Sequence, residues 1–149
     1  MIKKLLLAAM AALSLAFPAA AQDAETWDPS TPYASDIVIG RADAPVTVVE
    51  YASLTCPHCG RFHKESLEEF TKGWIDTGKA KLVYRHLPLD QSALAGALTV
   101  GCVPADGRPA LVKDLFDNVA EWAPQQDLAP PLKRVFGDSV SVEEIMACI

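Results

Sequence analysis

Three short apolar runs between residues 37 and 87 have the composition of β-strands. The run at residues 46–52 is dominated by β-branched side chains, which is typical of a strand buried within a sheet. A shorter run at residues 37–39 precedes it, and another at residues 81–87 follows it. Residues 40–45 contain Gly and Pro, which favour a turn. The pattern predicts three strands in this part of the chain.

Apolar residues recur at near-helical spacing between the second and third runs. They are Phe62, Leu67, Phe70 and Trp74. Opposite charges four residues apart, at Lys64/Glu68 and Glu68/Lys72, favour a helix over the same residues. Gly78 is placed to end that helix. The order of strand, helix and strand predicts a βαβ unit.

After the third strand the pattern is helical. Residues 91–103 are rich in Ala and Leu, and Pro109 suits the first turn of the next helix. That helix is predicted from an amphipathic stripe of Leu111, Val112, Leu115, Phe116, Val119 and Trp122. A short helix over residues 128–136 should end at Gly137, and the capping box Ser-Val-Glu-Glu at residues 141–144 should open a last helix.

Residues 1–21 have the pattern of a secretory signal peptide. Two lysines are followed by an apolar run at residues 5–17 and by three alanines at residues 19–21. A transmembrane anchor is the alternative, but it needs about 20 apolar residues and this run is shorter. We therefore expect cleavage near Gln22 and export to an oxidising compartment such as the periplasm.

The 128 residues after the signal are enough for one domain with its own core. Residues 22–36 show no periodicity and predict an extended N-terminal arm. The folded domain would span residues 37–149, with the βαβ part at residues 37–89 and a helical part at residues 90–149.

The chain is acidic, with 13 Lys and Arg against 19 Asp and Glu and a net charge of -6. The acidity disfavours nucleic acid and anionic lipid as partners, and we interpret it as a source of solubility. Outside the signal no stretch is long and apolar enough to span a bilayer, so no membrane insertion is expected after cleavage.

Two cysteines separated by two residues, Cys56 and Cys59, directly follow the second predicted strand. Such a pair can cycle between dithiol and disulfide, which indicates thiol–disulfide exchange and requires no bound cofactor. Unpaired N–H groups and partial positive charge at a helix N-terminus favour the thiolate of Cys56. We therefore expect Cys56 to be the attacking thiol and Cys59, one turn further on, to be the resolving thiol.

Two more residues have candidate roles, each with a structural alternative. An N–H or a positive charge on His58 would stabilise the Cys56 thiolate and make the oxidised form a stronger oxidant; alternatively, His58 is a solvated surface histidine. Glu50 lies in an otherwise apolar strand, where a buried carboxylate would shuttle a proton for Cys59. Alternatively, Glu50 is an edge-strand or strand-end residue that faces water.

Cys102 and Cys148 remain once the adjacent pair is assigned. A bridge between them would close a long loop and stabilise the fold by about 4 kcal/mol through loop-closure entropy, so we interpret it as a structural disulfide. A four-cysteine zinc site is the alternative, although the chain has no second close pair of ligands. Haem attachment would need a histidine where Gly60 stands.

Three stretches resemble the DsbA-like family of thioredoxin-fold proteins: APVT at residues 44–47, EYASLTCPHC at residues 50–59 and YRHLPLD at residues 84–90. The resemblance implies an α/β fold in which a thioredoxin-like βαβ unit is followed by an α-helical insertion. The implied site residues are Cys56 as nucleophile, Cys59 as resolving thiol, Pro57 and His58 between them, and Glu50 as the buried acid. The Cys102/Cys148 pair is similar to a second, structural disulfide of some members.

The resemblance also implies an activity and partners. The chain would be a periplasmic thiol–disulfide oxidoreductase that donates disulfide bonds to thiol-containing secreted proteins and is reoxidised by a quinone-linked membrane partner. A reductase or isomerase of the same fold is an alternative, because direction depends on redox potential and partner supply. Family members continue into a cis-proline loop, two strands and a closing helix that this sequence does not show. We therefore expect a C-terminally truncated relative, and an inactive binding or structural protein is the third interpretation.

Overall fold

The computed structural model describes residues 31–137 and 141–148, without the side chain of Cys148. The predicted signal peptide and the part of the predicted arm up to residue 30 therefore lie outside the described residues. Within the two described ranges, no helix is long and apolar enough to cross a bilayer.

Three strands form one mixed sheet. They are β1 (Ile37–Ile39), β2 (Val46–Ala52) and β3 (Ala80–His86). The central strand, β3, pairs antiparallel with β1 and parallel with β2. In the parallel pair, Glu50 lies opposite Tyr84 and Ala52 lies opposite His86. The strand bounds agree with the predicted ones to within one residue, which confirms the predicted βαβ unit.

Helical segments connect β2 to β3. They are α1 (Pro57–Glu65), α2 (Leu67–Phe70) and a π-helical turn (Thr71–Ile75). In the π-helical turn, the N–H of Asp76 donates to the carbonyl of Thr71, five residues back, so the turn holds one residue more than an α-helical turn. The extra residue changes the phase, and Ile75 is buried while Trp74 is 52% exposed. The prediction that Trp74 continues the apolar stripe is therefore wrong.

The remaining described helices follow β3. They are α3 (Gln91–Cys102), α4 (Arg108–Asp117), α5 (Val119–Trp122), α6 (Ala129–Phe136) and α7 (Val142–Cys148). The predicted amphipathic stripe is buried except for Val119, which is half-buried where the helix is interrupted at Asn118. The predicted helix end at Gly137 is confirmed, and that residue has a φ of 60°.

The predicted capping box opens α7. The N–H of Ser141 donates to the carboxylate of Glu144 at 2.7 Å, and the N–H of Glu144 donates to the Ser141 hydroxyl at 3.1 Å. Two backbone donors at the helix start are thereby satisfied, which confirms the start of the last predicted helix.

Helices α1 and α4 pack over one face of the sheet. The ring of Phe116 on α4 lies 6.3 Å from the ring of Tyr84 on β3, measured between centroids, and 4.3 Å from the ring of His63 on α1. These rings belong to, or pack against, the main core, which extends through α3 and α5 to α7. The core therefore begins directly beneath the loop that carries the two cysteines.

Arg85 anchors the chain segment that precedes β1. Its guanidinium donates to both carboxylate oxygens of Asp36, at 2.8 and 2.7 Å, and to the Tyr51 hydroxyl at 2.7 Å. The ring of Tyr33 covers the guanidinium at 4.2 Å. A turn from Tyr33 to Asp36 shapes the described end of the predicted arm, so this end is folded rather than extended.

Candidate redox site

Cys56 lies at the N-terminus of α1, immediately after the buried end of β2. Its backbone is extended, and its Sγ accepts a hydrogen bond from the Cys59 N–H at 3.3 Å. Pro57 occupies the first helical turn, where a missing N–H costs nothing. Cys56 and Cys59 are both free, half-buried thiols. The structure therefore places a dithiol within one turn at a helix N-terminus, as the sequence predicts.

Side-chain hydrogen bonds hold the loop before Cys56. The Thr55 hydroxyl donates to the carboxylate of Asp90 at 2.6 Å and lies 3.1 Å from the Ser53 hydroxyl. The other carboxylate oxygen of Asp90 accepts the N–H of Ala93 and so caps α3. The cysteine loop is thereby fixed to the start of the helical part of the chain.

The pKa values of the two thiols move in opposite directions. The pKa of Cys56 is lowered, chiefly by the hydrogen bond that the Cys59 thiol donates to it and further by the backbone N–H groups of Cys59 and His58. The pKa of Cys59 is raised, first by burial and then by donating that hydrogen bond to Cys56. Negative charge on Glu50 raises both values. Cys56 is therefore the thiol that ionises first.

His58 is exposed in the first turn of α1. The backbone N–H of His58 lowers the pKa of Cys56. The predicted role of its imidazole stays a prediction, and so does any role of the exposed Pro57 beyond starting the helix.

Glu50 projects from β2 towards α1, and its side chain is 15% exposed. Its two carboxylate oxygens lie 3.0 and 3.2 Å from Nε2 of His63. Although β2 is an edge strand of the described sheet, the Glu50 side chain is therefore paired with His63 beneath α1 and does not face water. Its predicted function as a proton shuttle stays a prediction.

The sequence argument missed the polar residues around Glu50. His63 and Tyr84 are buried, and burial raises the pKa of Tyr84. Burial also lowers the pKa of the neighbouring His86 to about 4, so this histidine is neutral at neutral pH. His63 was visible in principle, because it follows Cys59 by four residues and therefore shares its face of α1.

A shallow groove of about 340 Å³ lies beside Cys56. It lies between the start of α1 and the helices α4 and α5, and it is lined by Leu54, Thr55, Cys56, Pro57, Gly60, Arg61, Lys64, Glu65, Phe116 and Val119. The half-buried sulfur of Cys56 therefore lies at a groove with a partly apolar lining.

Cys102 lies exposed at the end of α3 and is disulfide-bonded. The side chain of Cys148 lies outside the described residues, so the Cys102–Cys148 pairing stays a prediction. A disulfide-bonded sulfur is not available as a thiolate ligand, which disfavours the four-cysteine zinc site. The described residues also contain no cluster of three or more His, Cys, Asp or Glu side chains placed to hold a metal ion.

A free dithiol at the start of the helix that joins two parallel strands is the arrangement of a thioredoxin-like protein. A family model described as Thioredoxin matches residues 33–149. The chain belongs to this thioredoxin family.

Relatives with assigned names share part of the chain. A Rickettsia prowazekii protein named as a protein-disulfide oxidoreductase is 38% identical over 68 residues, which cover 46% of this chain and 25% of that protein. The disulfide bond formation protein D of Bacillus subtilis is 40% identical over 47 residues, which cover 32% of this chain and 21% of that protein. The matched part is thus about a quarter of the length of these relatives.

Solved structures share the fold. Wolbachia pipientis alpha-DsbA1 has a TM-score of 0.69 at 30% identity, with 78% of this chain and 60% of that chain covered. BdbD from Bacillus subtilis has a TM-score of 0.67 at 23% identity, with 76% and 64% covered. The expected DsbA-like resemblance and the thioredoxin-like α/β fold with a helical part are confirmed. The expected truncation stays a prediction.

Proposed function

We propose that this chain is a thiol–disulfide oxidoreductase that donates disulfide bonds to other proteins through the Cys56–Cys59 pair. The observation that carries the proposal is a free dithiol within one helical turn, in which the Cys56 sulfur at the helix N-terminus accepts the Cys59 N–H at 3.3 Å and the pKa values of the two thiols shift in opposite directions. A stabilised Cys56 thiolate is a good leaving group, which favours release of the substrate disulfide and the reduced form of the pair. The names of the relatives support the same activity.

The proposed reaction starts from the oxidised pair. A substrate thiolate attacks Sγ of Cys56, a mixed disulfide forms, and the bond to Cys59 breaks so that Cys59 leaves with the electron pair and takes up a proton. A second substrate thiolate then attacks the substrate sulfur of the mixed disulfide and releases Cys56 as a thiolate. The substrate loses two electrons and gains a disulfide, and the Cys56–Cys59 pair gains those two electrons.

The proposed setting follows from the sequence. Residues 1–21 would direct export and be removed, and residues 22–36 would lead into a single domain at residues 37–149. The substrates would be thiol-containing secreted proteins in the periplasm, and a quinone-linked membrane protein would reoxidise the pair. The proposal involves neither nucleic acid nor a bound cofactor.

The test uses Cys56→Ser and Cys59→Ser in the full chain. Cys56→Ser should abolish oxidation of a reduced peptide substrate, because the attacked sulfur is gone. Cys59→Ser cannot form the disulfide of the pair, but its Cys56 thiolate should attack an oxidised peptide and accumulate mixed disulfides, because no second thiol of the pair is present to resolve the bond at Cys56. The products are counted on non-reducing gels and by mass spectrometry. Equal trapping by the two variants would contradict the assigned roles.

A redox titration against glutathione separates oxidase from reductase or isomerase. A potential of the Cys56–Cys59 pair well above that of the glutathione buffer supports disulfide donation. A potential near that of thioredoxin, about -270 mV, would favour the reductase.

A further inference from the structure

His63 is a buried histidine, and one of its two ring nitrogens contacts the carboxylate of Glu50. Its side chain is 3% exposed, and its Nε2 lies between the two carboxylate oxygens of Glu50. The ring is held in place by Phe116 at 4.3 Å and by Tyr84 and Phe62, each at 5.8 Å between centroids. Such packing fixes the orientation of the ring, so each nitrogen keeps one direction.

The two ring nitrogens therefore face different surroundings. A carboxylate only accepts hydrogen bonds, so Nε2 of His63 is the donor when it pairs with the Glu50 carboxylate. The opposite nitrogen, Nδ1, is buried and has no hydrogen-bond partner among the described residues. An imidazole can take up a proton at one nitrogen and release one from the other.

A small cavity of about 100 Å³ lies on the side of the sheet where His63 and Tyr84 meet. It is lined by Ile37, Ile39, His63, Leu67, Tyr84, Pro109, Val112 and Lys113. The Tyr84 hydroxyl, like Nδ1 of His63, is buried without a partner among the described residues. A cavity of this volume is large enough for water, and His63 and Tyr84, the two residues with unpartnered polar atoms, both line it.

A wider groove of about 490 Å³ adjoins the cavity, because both are lined by His63, Leu67 and Lys113. Its wall includes the exposed residues Lys64, Glu68, Lys72, Asp76 and Asp117. The groove therefore links the surroundings of His63 to solvent.

We infer that His63 is a positioning residue that passes protons between water in this cavity and Glu50, and through Glu50 to the sulfur of Cys59. The inference rests on the proposed function. When the disulfide opens, Cys59 leaves as a thiolate. Nε2 of His63 passes its proton to the Glu50 carboxylate, the carboxyl group so formed gives a proton to the sulfur of Cys59, and Nδ1 of His63 takes a proton from water. Reoxidation runs the same transfers in reverse.

The raised pKa of Cys59 agrees with this direction of transfer, because partial burial and the negative charge of Glu50 both favour the protonated thiol. The charged and titratable groups around His63 come from every neighbouring element. They are Glu50 on β2, Tyr84 on β3, Lys64 on α1, Glu68 on α2, Lys72 and Asp76 at the π-helical turn, and Lys113 and Asp117 on α4.

The first test compares His63→Gln with His86→Gln in the full chain. His86 is a matched control, because it is a partly buried, neutral histidine beside Tyr84 that makes no hydrogen bond to Glu50 within the described residues. The single-turnover rate of disulfide opening by a small dithiol is measured against pH. We expect a loss of about tenfold or more in His63→Gln and little change in His86→Gln. Equal rates in both variants would overturn the inference.

Chemical rescue separates proton transfer from packing. In His63→Ala, added imidazole should restore the rate, whereas pyrazole, a ring of the same size that stays unprotonated at neutral pH, should not. Equal restoration by both rings would mean that His63 only fills space.

Two measurements need no exchange activity, so they distinguish failure of this inference from failure of the proposed function. In the Cys56→Ser background, His63→Gln should raise the pKa of Cys59, because the charge of Glu50 loses its partner; an unchanged titration would overturn the inference. In the unaltered chain, nitrogen NMR should show exchange between water and Nδ1 of His63. Absence of that exchange would also overturn it, even if the variants do not fold.

Discussion

At the scale of single residues, the thiols of Cys56 and Cys59 differ in pKa although their side chains are identical. Cys56 and Cys59 lie in one helical turn, yet the sulfur of Cys56 receives hydrogen bonds from the Cys59 thiol and from two backbone N–H groups, whereas the sulfur of Cys59 has a backbone hydrogen bond with Ser53 alone. Cys59 lies deeper and donates. The hydrogen bond from the Cys59 thiol contributes most to the lower pKa of Cys56, and this bond can be removed by mutation.

Cys59→Ala should raise the pKa of Cys56, because it removes the hydrogen bond that contributes most to lowering it. Cys59→Ser is the matched variant, since its hydroxyl still donates, and it should keep the pKa of Cys56 low. The rate of alkylation of Cys56 by iodoacetamide, followed against pH, gives the midpoint in each variant. The thiolate is the reactive form, so the alkylation rate rises with pH. In the unaltered chain its midpoint should lie below the pKa of an ordinary thiol, which is about 8.5.

The two Cys59 variants also give a clear negative outcome. If alanine and serine leave the midpoint of Cys56 equally low, the backbone N–H groups and the helix N-terminus lower the pKa by themselves. The Cys59 thiol would then have no part in activating Cys56.

The sequence predicted the dithiol but only part of its surroundings. Cys56 and Cys59 were recognisable because their spacing and their position after a strand are local features. Glu50 was ambiguous, since its burial depends on α1 folding over β2. Tyr84 was not recognisable as its neighbour, because the Glu50–Tyr84 register depends on pairing between distant strands. Contacts set by tertiary packing are therefore the ones that sequence patterns miss.

At the scale of elements, one glycine sets how closely α3 approaches the cysteine loop. A Cβ atom at Gly96 would lie 2.9 Å from a methyl carbon of Leu54 and 3.2 Å from the ring of Trp122. Leu54 is buried two residues before Cys56. The absence of a side chain at Gly96 thus lets α3 pack directly against the base of the loop.

Gly96→Ala should destabilise the protein by about 1–3 kcal/mol, because the added methyl group overpacks Leu54 and Trp122. Gly101→Ala is the control in the same helix, where an added Cβ has no neighbour within 4 Å. It should be neutral or stabilise by up to about 1 kcal/mol through helix propensity. Urea unfolding measures both. A Gly96→Ala variant as stable as Gly101→Ala would show that α3 can move away from the loop freely.

Elements were predicted well where their signals are local. Residues that are close in sequence signal both the helix end at Gly137 and the capping box at Ser141, and both are confirmed. The position of Trp74 failed because a π-helical turn inserts one residue and rotates the helix. The interruption at Asn118 was missed for a similar reason, since an apolar stripe continues across a break that periodicity does not mark.

At the scale of the whole molecule, two features tie distant parts of the chain together. Arg85 holds the segment at Tyr33 and Asp36 against the sheet, and the bonded Asp36 carboxylate has a lowered pKa. At the other end, α3 and α7 pack against each other, and disulfide-bonded Cys102 ends α3. A bridge from Cys102 to Cys148 would fasten the last helix to the helical part of the chain.

Cys102→Ser should lower the free energy of unfolding by as much as about 4 kcal/mol, because the unfolded chain regains the entropy of the long loop. Exchange at Cys56 should persist under conditions where the variant is folded, since that pair lies in another part of the fold. Thermal unfolding followed by circular dichroism gives the stability, and oxidation of a reduced peptide gives the exchange activity.

A double-mutant cycle tests the pairing itself. If Cys102 and Cys148 form one bridge, Cys148→Ser and the double variant should each lose about as much stability as Cys102→Ser, because the bridge can be removed only once. Additive losses would mean that the two sulfurs act independently, and an unchanged melting curve for Cys102→Ser would mean that its disulfide does not stabilise the fold. The loss of stability arises mainly because the unfolded chain gains entropy. If the loop closes before the folding transition state, the variants should fold more slowly; if it closes afterwards, they should unfold faster.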